Sequence, residues 1–461
     1  MQAHLAEKYQ RARTLREEAP TGPTEHQMQA LWFEQWLGPT LKTDEGEILT
    51  LQQPGLWNHG AGPDFRRAAY RGPDGELRVG FVELHLEAMD WENHGHHLDP
   101  AYENTILHVV WAPGRKAFFP ATKSFRRVPQ VFLRDQLIAP WDQLKPLLPA
   151  YPVGERPASK PGLCQKELSR MQPGQILEIL QAAGWYRLRQ RAERWRWRRQ
   201  VVGQTQMLWE ALAEGLGYHR NQIPFRLIAQ RLPLGELKRG PVQEREALIF
   251  GISGLLPERE LTGLSAPARR KVREVWEIWW KHRENRAHAI LPRSQWKLAG
   301  VRPLNRPERR LGALALLAGE MGRLERAVIS GKAGGWEALL TELQDSFWDR
   351  QTTWRSRPST KPVQLLGMER IRDLLINVYW PLVWLEKPAE AEKGLALLRS
   401  RPNALEGIAR QRVLGNIRLG PAGQKALVQQ GLLQLYRDFC LTDASQCSLC
   451  PFPRLVQQWD R

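Results

Sequence analysis

Cysteine is scarce: four residues in a chain of 461, too few to staple a secreted protein of this length with disulfides. Long apolar runs are missing too. No stretch approaches the roughly 18 uncharged residues that a membrane span requires, and residues 1–18 are charged throughout, without the apolar centre of a secretory leader. A cytoplasmic protein with no membrane partner is expected. Acidic residues are also in deficit, 49 against 67 Lys and Arg, for a formal net charge of +18. A balance of that sign points to polyanionic partners.

The deficit is uneven. Residues 1–158 carry 17 basic and 20 acidic side chains, whereas residues 159–461 carry 50 and 29. Between them, 145–162 holds five prolines (Pro146, Pro149, Pro152, Pro157, Pro161) and reads as a linker. A second break, polar and proline-punctuated, falls at 351–362. The expected organisation is a charged leader (1–22), an α/β sheet domain (23–144), the linker, a basic α-helical domain (163–350) and a C-terminal helical segment with a cysteine-rich tail (363–461).

Within 23–144 a helix is predicted after Thr24, with Met28, Leu31, Trp32 and Trp36 at helical spacing. Strands are predicted at 47–51, 65–70, 77–86, 105–111 and 130–133. The turn Gly72-Pro73-Asp74-Gly75 makes the second and third a hairpin, and the run TILHVVW suits a strand buried on both faces.

Candidate chemistry gathers in this domain. Asp64 follows the glycine-containing run WNHGAGP and enters the first hairpin strand. Glu83 and His85 lie two apart on the next, so they project from one face while Val82 and Leu84 take the other. Two carboxylates meeting across the hairpin would hold Mg²⁺ or Mn²⁺, and His85 could assist a water nucleophile. Six of the eleven histidines (His59, His85, His94, His96, His97, His108) fall within fifty residues, so a histidine and carboxylate zinc site competes. His59, His96, His97 and Asp99 are expected as a loop that supports the site by hydrogen bonds.

The runs WNHGAGPDF, GFVELHL and DWENHGHHLDPAYENTILHVVW, with GLGYHRNQIPF and RPLNRPERRL further on, resemble the bacterial family called domain of unknown function 2851, across most of the chain. That resemblance implies no activity. Pro63-Asp64 followed by Glu83-x-His85 is similar to the PD-(D/E)XK nuclease pattern, which implies a restriction-endonuclease-like fold with Asp64 and Glu83 as metal ligands. It also implies an acidic residue on the preceding helix, here Glu25. His85 stands where that superfamily usually has lysine.

Beyond the linker, helical spacing dominates, giving an α+β and α multidomain protein overall. Residues 187–199 (RLRQRAERWRWRR) interleave seven arginines with Trp195 and Trp197. Arg187, Arg191, Arg194, Arg198 and Arg199 with Trp195 are the expected nucleic-acid contacts, since guanidinium matches phosphate and indole stacks on bases. Finally, Cys440, Cys447 and Cys450 cluster near the C-terminus, and Cys164 is the fourth cysteine. A shared four-thiolate site for a [4Fe-4S] cluster or Zn²⁺ is expected. The spacing resembles the cluster loop of helix-hairpin-helix DNA glycosylases, except that Val456 occupies the place of their last cysteine.

The sequence thus favours a Mg²⁺- or Mn²⁺-dependent nuclease acting on DNA or RNA. A non-catalytic nucleic-acid-binding protein and a zinc hydrolase using His85, His96 and His97 are the alternatives.

Overall fold

The structure is a computed structural model that describes residues 2–14, 22–148, 161–238, 240–258, 261–441 and 447–459. Most of the expected linker, 149–160, lies outside them. The architecture is mixed: a seven-stranded sheet in the N-terminal third, then a body of helices.

Helix α1 (Gln2–Thr14) precedes α2 (Glu25–Glu34). Thr24 caps α2 by a capping box: its Oγ accepts from the Gln27 amide, and the Gln27 side chain accepts from the Thr24 amide. Met28, Leu31, Trp32 and Trp36 are fully buried, so one stripe of α2 is pressed into the core. Strands β1 (Thr40–Lys42), β2 (Ile48–Gln53), β3 (Leu56–Trp57), β4 (Phe65–Arg71), β5 (Leu77–His85), β6 (Thr105–Val110) and β7 (Gln130–Phe132) follow. Their order is β1-β2-β4-β5-β6-β7, with β3 paired to β4.

Pairing is antiparallel from β1 to β5 and parallel from β5 to β7. Just past β1, Thr43 bridges to Val131 of β7 and the Asp44 amide donates to the Gln130 carbonyl at 2.8 Å. The two sheet ends therefore meet, and the sheet curls until it is nearly closed.

Strand register places the polar residues of the sheet. Phe65 pairs with Val82, which sets Asp64 beside Glu83, and Glu83, His108 and Gln130 fall in one row across β5, β6 and β7. Gly80 permits the close approach of β5 to the segment entering β6, because a Cβ there would strike the Asn104 carbonyl and Ile106.

In the helical body, Tyr9 of α1, within the expected leader, is buried against Tyr186 and donates to Asp438 at 2.9 Å. The expected break at 351–362 carries no helix or strand, and Gln351 and Trp354 within it are buried. Among the described residues no helix is long and apolar enough to cross a membrane.

Candidate metal centre

Asp64 is placed by a tight loop. Gly62 has φ of +87°, open to glycine at little cost. The Asn58 side chain donates to the carbonyls of Ala61 and Pro63, both at 3.0 Å, while the Asn58 amide donates to the Asp64 carbonyl at 2.7 Å. The Asp64 carboxylate then accepts from Gln29 Nε2 of α2 at 2.7 Å and from the Leu84 amide at 3.1 Å. Its own amide donates to Glu83 Oε2 at 2.9 Å.

The other Glu83 oxygen, Oε1, lies 3.3 Å from His96 Nε2 and 3.7 Å from His85 Nε2. The His96 contact lacks hydrogen-bonding geometry, which leaves that buried nitrogen without a partner. His94 completes the group: the ring nitrogens of His85, His94 and His96 gather within 4.8 Å of one another. His85 and His96 are buried and His94 is exposed, so the centre has a closed floor and an open mouth. Tyr102 stacks on the His96 ring at 3.8 Å and holds it in place.

Beneath the floor a second layer fixes which nitrogen of His85 carries its proton. His108 Nδ1 faces Gln130 Oε1, an acceptor, at 3.1 Å, so the His108 proton is on Nδ1. His108 Nε2 must then accept from His85 Nδ1, 2.9 Å away. His85 is left with a lone pair on Nε2, directed toward Glu83. Burial pushes both rings well below the usual histidine range, His85 to about 3, so both are neutral. A neutral imidazole whose far nitrogen donates to a buried partner is the arrangement found at metal-ligating histidines.

Burial acts in the opposite direction on the acids. It pushes Asp64 up to about 7, helped by repulsion from Glu83, and Glu83 up to about 8, helped by Glu25. Glu25, half-buried at the first turn of α2, is also raised by burial and opposed by His94. The three carboxyls repel one another as anions, and with the three imidazoles beside them they gain from a shared cation.

Of the expected site residues, the structure brings Asp64, Glu83, His85, Glu25 and His96 together. His59, His97 and Asp99 are not in the donor group. His59 is exposed and packs on Trp57, with ring centroids 5.2 Å apart, and Asp99 caps a short turn by accepting from the Ala101 amide. Gln29, His94, His108 and Gln130 were not singled out as site residues. For His94 the only available signal was membership of the histidine-rich loop.

The residues of the expected nucleic-acid interface have partners within the protein. Arg194 pairs with Glu214 through two bonds of 2.8 and 2.9 Å and with Glu34, Arg198 makes the same two-pronged contact with buried Glu210, and Arg199 pairs with Glu386. Arg187 donates to Gln430 and Gln434, Arg191 to Asn377 and Gln430, and Trp195 is buried. These residues lie on the long helix Pro173–Val202, where each of the named arginines has a partner within the protein, whereas Arg196 on the same helix is exposed. Arg309 and Arg310, part of a further basic cluster, are buried too.

No curated protein and no solved structure matches the chain. A family model does match, over residues 25–400, the span that carries every donor of this centre, and on that match the chain belongs to the family described as protein of unknown function (DUF2851).

Proposed function

We propose that the chain is a divalent-metal-dependent hydrolase of phosphodiester bonds, a nuclease-like protein whose metal is held by Asp64, Glu83 and the histidines His85, His94 and His96. One observation carries the reading: acids from two hairpin strands and imidazoles from β5 and the crossover after it converge at one mouth, where buried His96 Nε2 has no hydrogen-bond partner. Nitrogen and oxygen donors in this mixture suit Mn²⁺ or Zn²⁺ better than Mg²⁺, which prefers an all-oxygen shell. The ion would polarise a phosphoryl oxygen and supply a water nucleophile. Glu25, at the rim, is positioned to take a proton from that water once the ion has settled the other acids.

The Asp64 and Glu83-x-His85 spacing supports a phosphodiester substrate through its likeness to the PD-(D/E)XK pattern, and with it a restriction-endonuclease-like ancestry for the sheet. With the arginine helix turned inward, another surface has to meet the polyanion. The loop 112–127 presents exposed Arg115, Lys116 and Lys123 with no acidic residue among them, and Phe125 is 91% exposed. It is tied to the centre's wall, since Trp91 donates to the Ala121 carbonyl at 2.9 Å and packs against His96. Cations beside open aromatic faces fit a nucleic-acid strand.

The test is cleavage of supercoiled plasmid and of single-stranded oligonucleotides with Mn²⁺, comparing wild type with Asp64→Asn and Glu83→Gln. Metal-dependent cleavage that falls at least a hundredfold in both variants is expected. Equal activity in all three refutes the assignment. Salt-sensitive binding with no cleavage by wild type selects the non-catalytic alternative. The three-imidazole group favours one second reading, a zinc hydrolase of small substrates. Turnover of a model ester, but not of nucleic acid, by the zinc-loaded protein would select it.

A further inference from the structure

The four cysteines of the chain line one cavity. Cys164 opens the short helix Cys164–Leu168. Cys440 sits in the turn Tyr436–Leu441, Cys447 in the turn Cys447–Leu449, and Cys450 just ahead of the helix Phe452–Gln458. Phe439 and Phe452 help wall the space, their rings 5.1 Å apart. None of the four is in a disulfide. From these observations we infer that the cavity is a four-thiolate [4Fe-4S] site joining the segment around residue 164 to the C-terminal tail.

The donor set decides the class of ligand. Four sulfurs with no carboxylate or imidazole among the cavity residues select soft metal chemistry, iron-sulfur or zinc. A tetrahedral zinc with Zn–S bonds of about 2.3 Å draws its sulfurs to roughly 3.8 Å from one another. Among the described residues no three of the thiols gather within 4.8 Å of one another, as the three histidine nitrogens do. That looser set of sulfurs suits the larger cubane better than a single zinc ion.

The surroundings are also those of a charged thiolate cluster. The Leu163 amide donates to Cys447 Sγ at 3.3 Å, a bond of the kind that stabilises ligating sulfur. Arg412, a cation, lines the same cavity and hydrogen-bonds Cys440. Gly162 is required beside it, since a Cβ there would meet the Arg412 carbonyl at 2.7 Å and Cys164 Sγ at 3.1 Å.

This inference does not depend on the proposed nuclease activity, and its test separates the two. The full-length chain is purified anaerobically, or reconstituted with ferrous iron and sulfide, and assayed for iron, acid-labile sulfide, zinc and visible absorption. About four iron and four sulfide per chain are expected, with a broad band around 400 nm that bleaches on reduction. Cys164→Ser and Cys450→Ser should lose the sulfide, whereas Asp64→Asn should keep it, because the histidine centre holds no sulfide. Stoichiometric zinc without sulfide overturns the inference, and so do four titratable thiols with no metal after reconstitution. Wild-type content alone decides these outcomes, even where a cysteine variant fails to fold. Sulfide retained in full by Cys164→Ser would remove that residue from the site and overturn the four-thiolate assignment.

Discussion

Glu83→Gln separates the metal centre's cost to the fold from its use. In the metal-free protein the Glu83 carboxyl is pushed up to about 8 and that of Asp64 up to about 7, from ordinary values of 4.5 and 3.8. A folded-state pKa above the unfolded one means the native protein keeps protons that the unfolded chain releases. Stability therefore falls as pH rises from about 4, and the whole loss is present above about 8. The rise of Glu83 from 4.5 to about 8, at about 1.4 kcal/mol per pH unit, caps the loss at about 5 kcal/mol. The two acids share one local repulsion, and removing a single charge recovers only part of it, roughly 2 kcal/mol at pH 8.5. Glutamine keeps an acceptor for the Asp64 amide, and its NH₂ can donate toward the lone pair on His85 Nε2. At pH 4 the acid is largely protonated in both the folded and the unfolded chain, and the two proteins should melt together. At pH 8.5 in EDTA the variant should melt higher by about 2–4 °C, the shift expected for ~2 kcal/mol in a large domain. Saturating Mn²⁺ should reverse the order: a hundredfold excess over Kd stabilises wild type by about 2.7 kcal/mol and the variant by little. The chain's twenty tryptophans report the melts. A variant that melts below wild type at pH 8.5 in EDTA, or equal Mn²⁺ shifts in both proteins, would falsify this account.

Gln130→Leu removes the acceptor that sets the His108 proton and, through it, the His85 lone pair. Mn²⁺ affinity by calorimetry should fall 10- to 100-fold, and unchanged affinity would dissolve the proposed role of the second layer. Because Asp64 and Glu83 must lose protons to bind an ion, wild-type Mn²⁺ affinity should rise between pH 6 and 9, by up to about tenfold per unit for each proton released; a flat profile contradicts the assignment of ligands. Arg198→Ala strands buried Glu210 and should cost about 3–5 kcal/mol, while leaving the salt dependence of nucleic-acid binding unaltered. A smaller salt slope would return that helix to the interface. Arg226→Met loosens Glu34, which Arg226 and Arg194 hold at the end of α2. It should weaken Mn²⁺ binding through Gln29 and Glu25 on that helix, whereas Arg309→Met, destabilising but remote, should not.

The centre was legible where chemistry follows strand period. Glu83 and His85 share a face because they are two apart, and the Pro-Asp-Gly turn folds Asp64 back beside them. It was illegible where the crossover decides. His94, His96 and His97 sit in a loop with no period, and only the fold shows that His94 joins the cluster and His97 does not. His108 and Gln130 are 22 residues apart and meet through a parallel register, which local sequence does not encode. The arginine helix misled for a related reason. Its partners Glu210 and Glu214 lie on the next helix, and Glu34 and Gln430 come from distant parts of the chain, so arginines that look unpaired in sequence have partners in space.

Pairing with glutamate is only part of why the net charge overstates the surface. Several buried arginines have carbonyls, not anions, as partners. Arg309 donates to the carbonyls of Trp348, Gln351, Val363 and Gln364, Arg310 to that of Leu365, and Arg231 to that of Ala289. Arg370, which also pairs with Asp373, donates to Gly215 and Leu216, the last carbonyls of the helix Gln204–Leu216, where a positive charge also meets the negative end of the helix dipole. The segment 343–367 is long, irregular and partly buried, and its backbone acceptors need donors that no helix or strand ladder provides. A guanidinium, with five N–H groups in one plane, satisfies several at once. Each such arginine adds a unit to the formal charge while offering nothing to a polyanion. The positive surface that a nucleic acid would meet has to be counted from exposed side chains such as Arg115, Lys116 and Lys123, and not from the composition of the helical body.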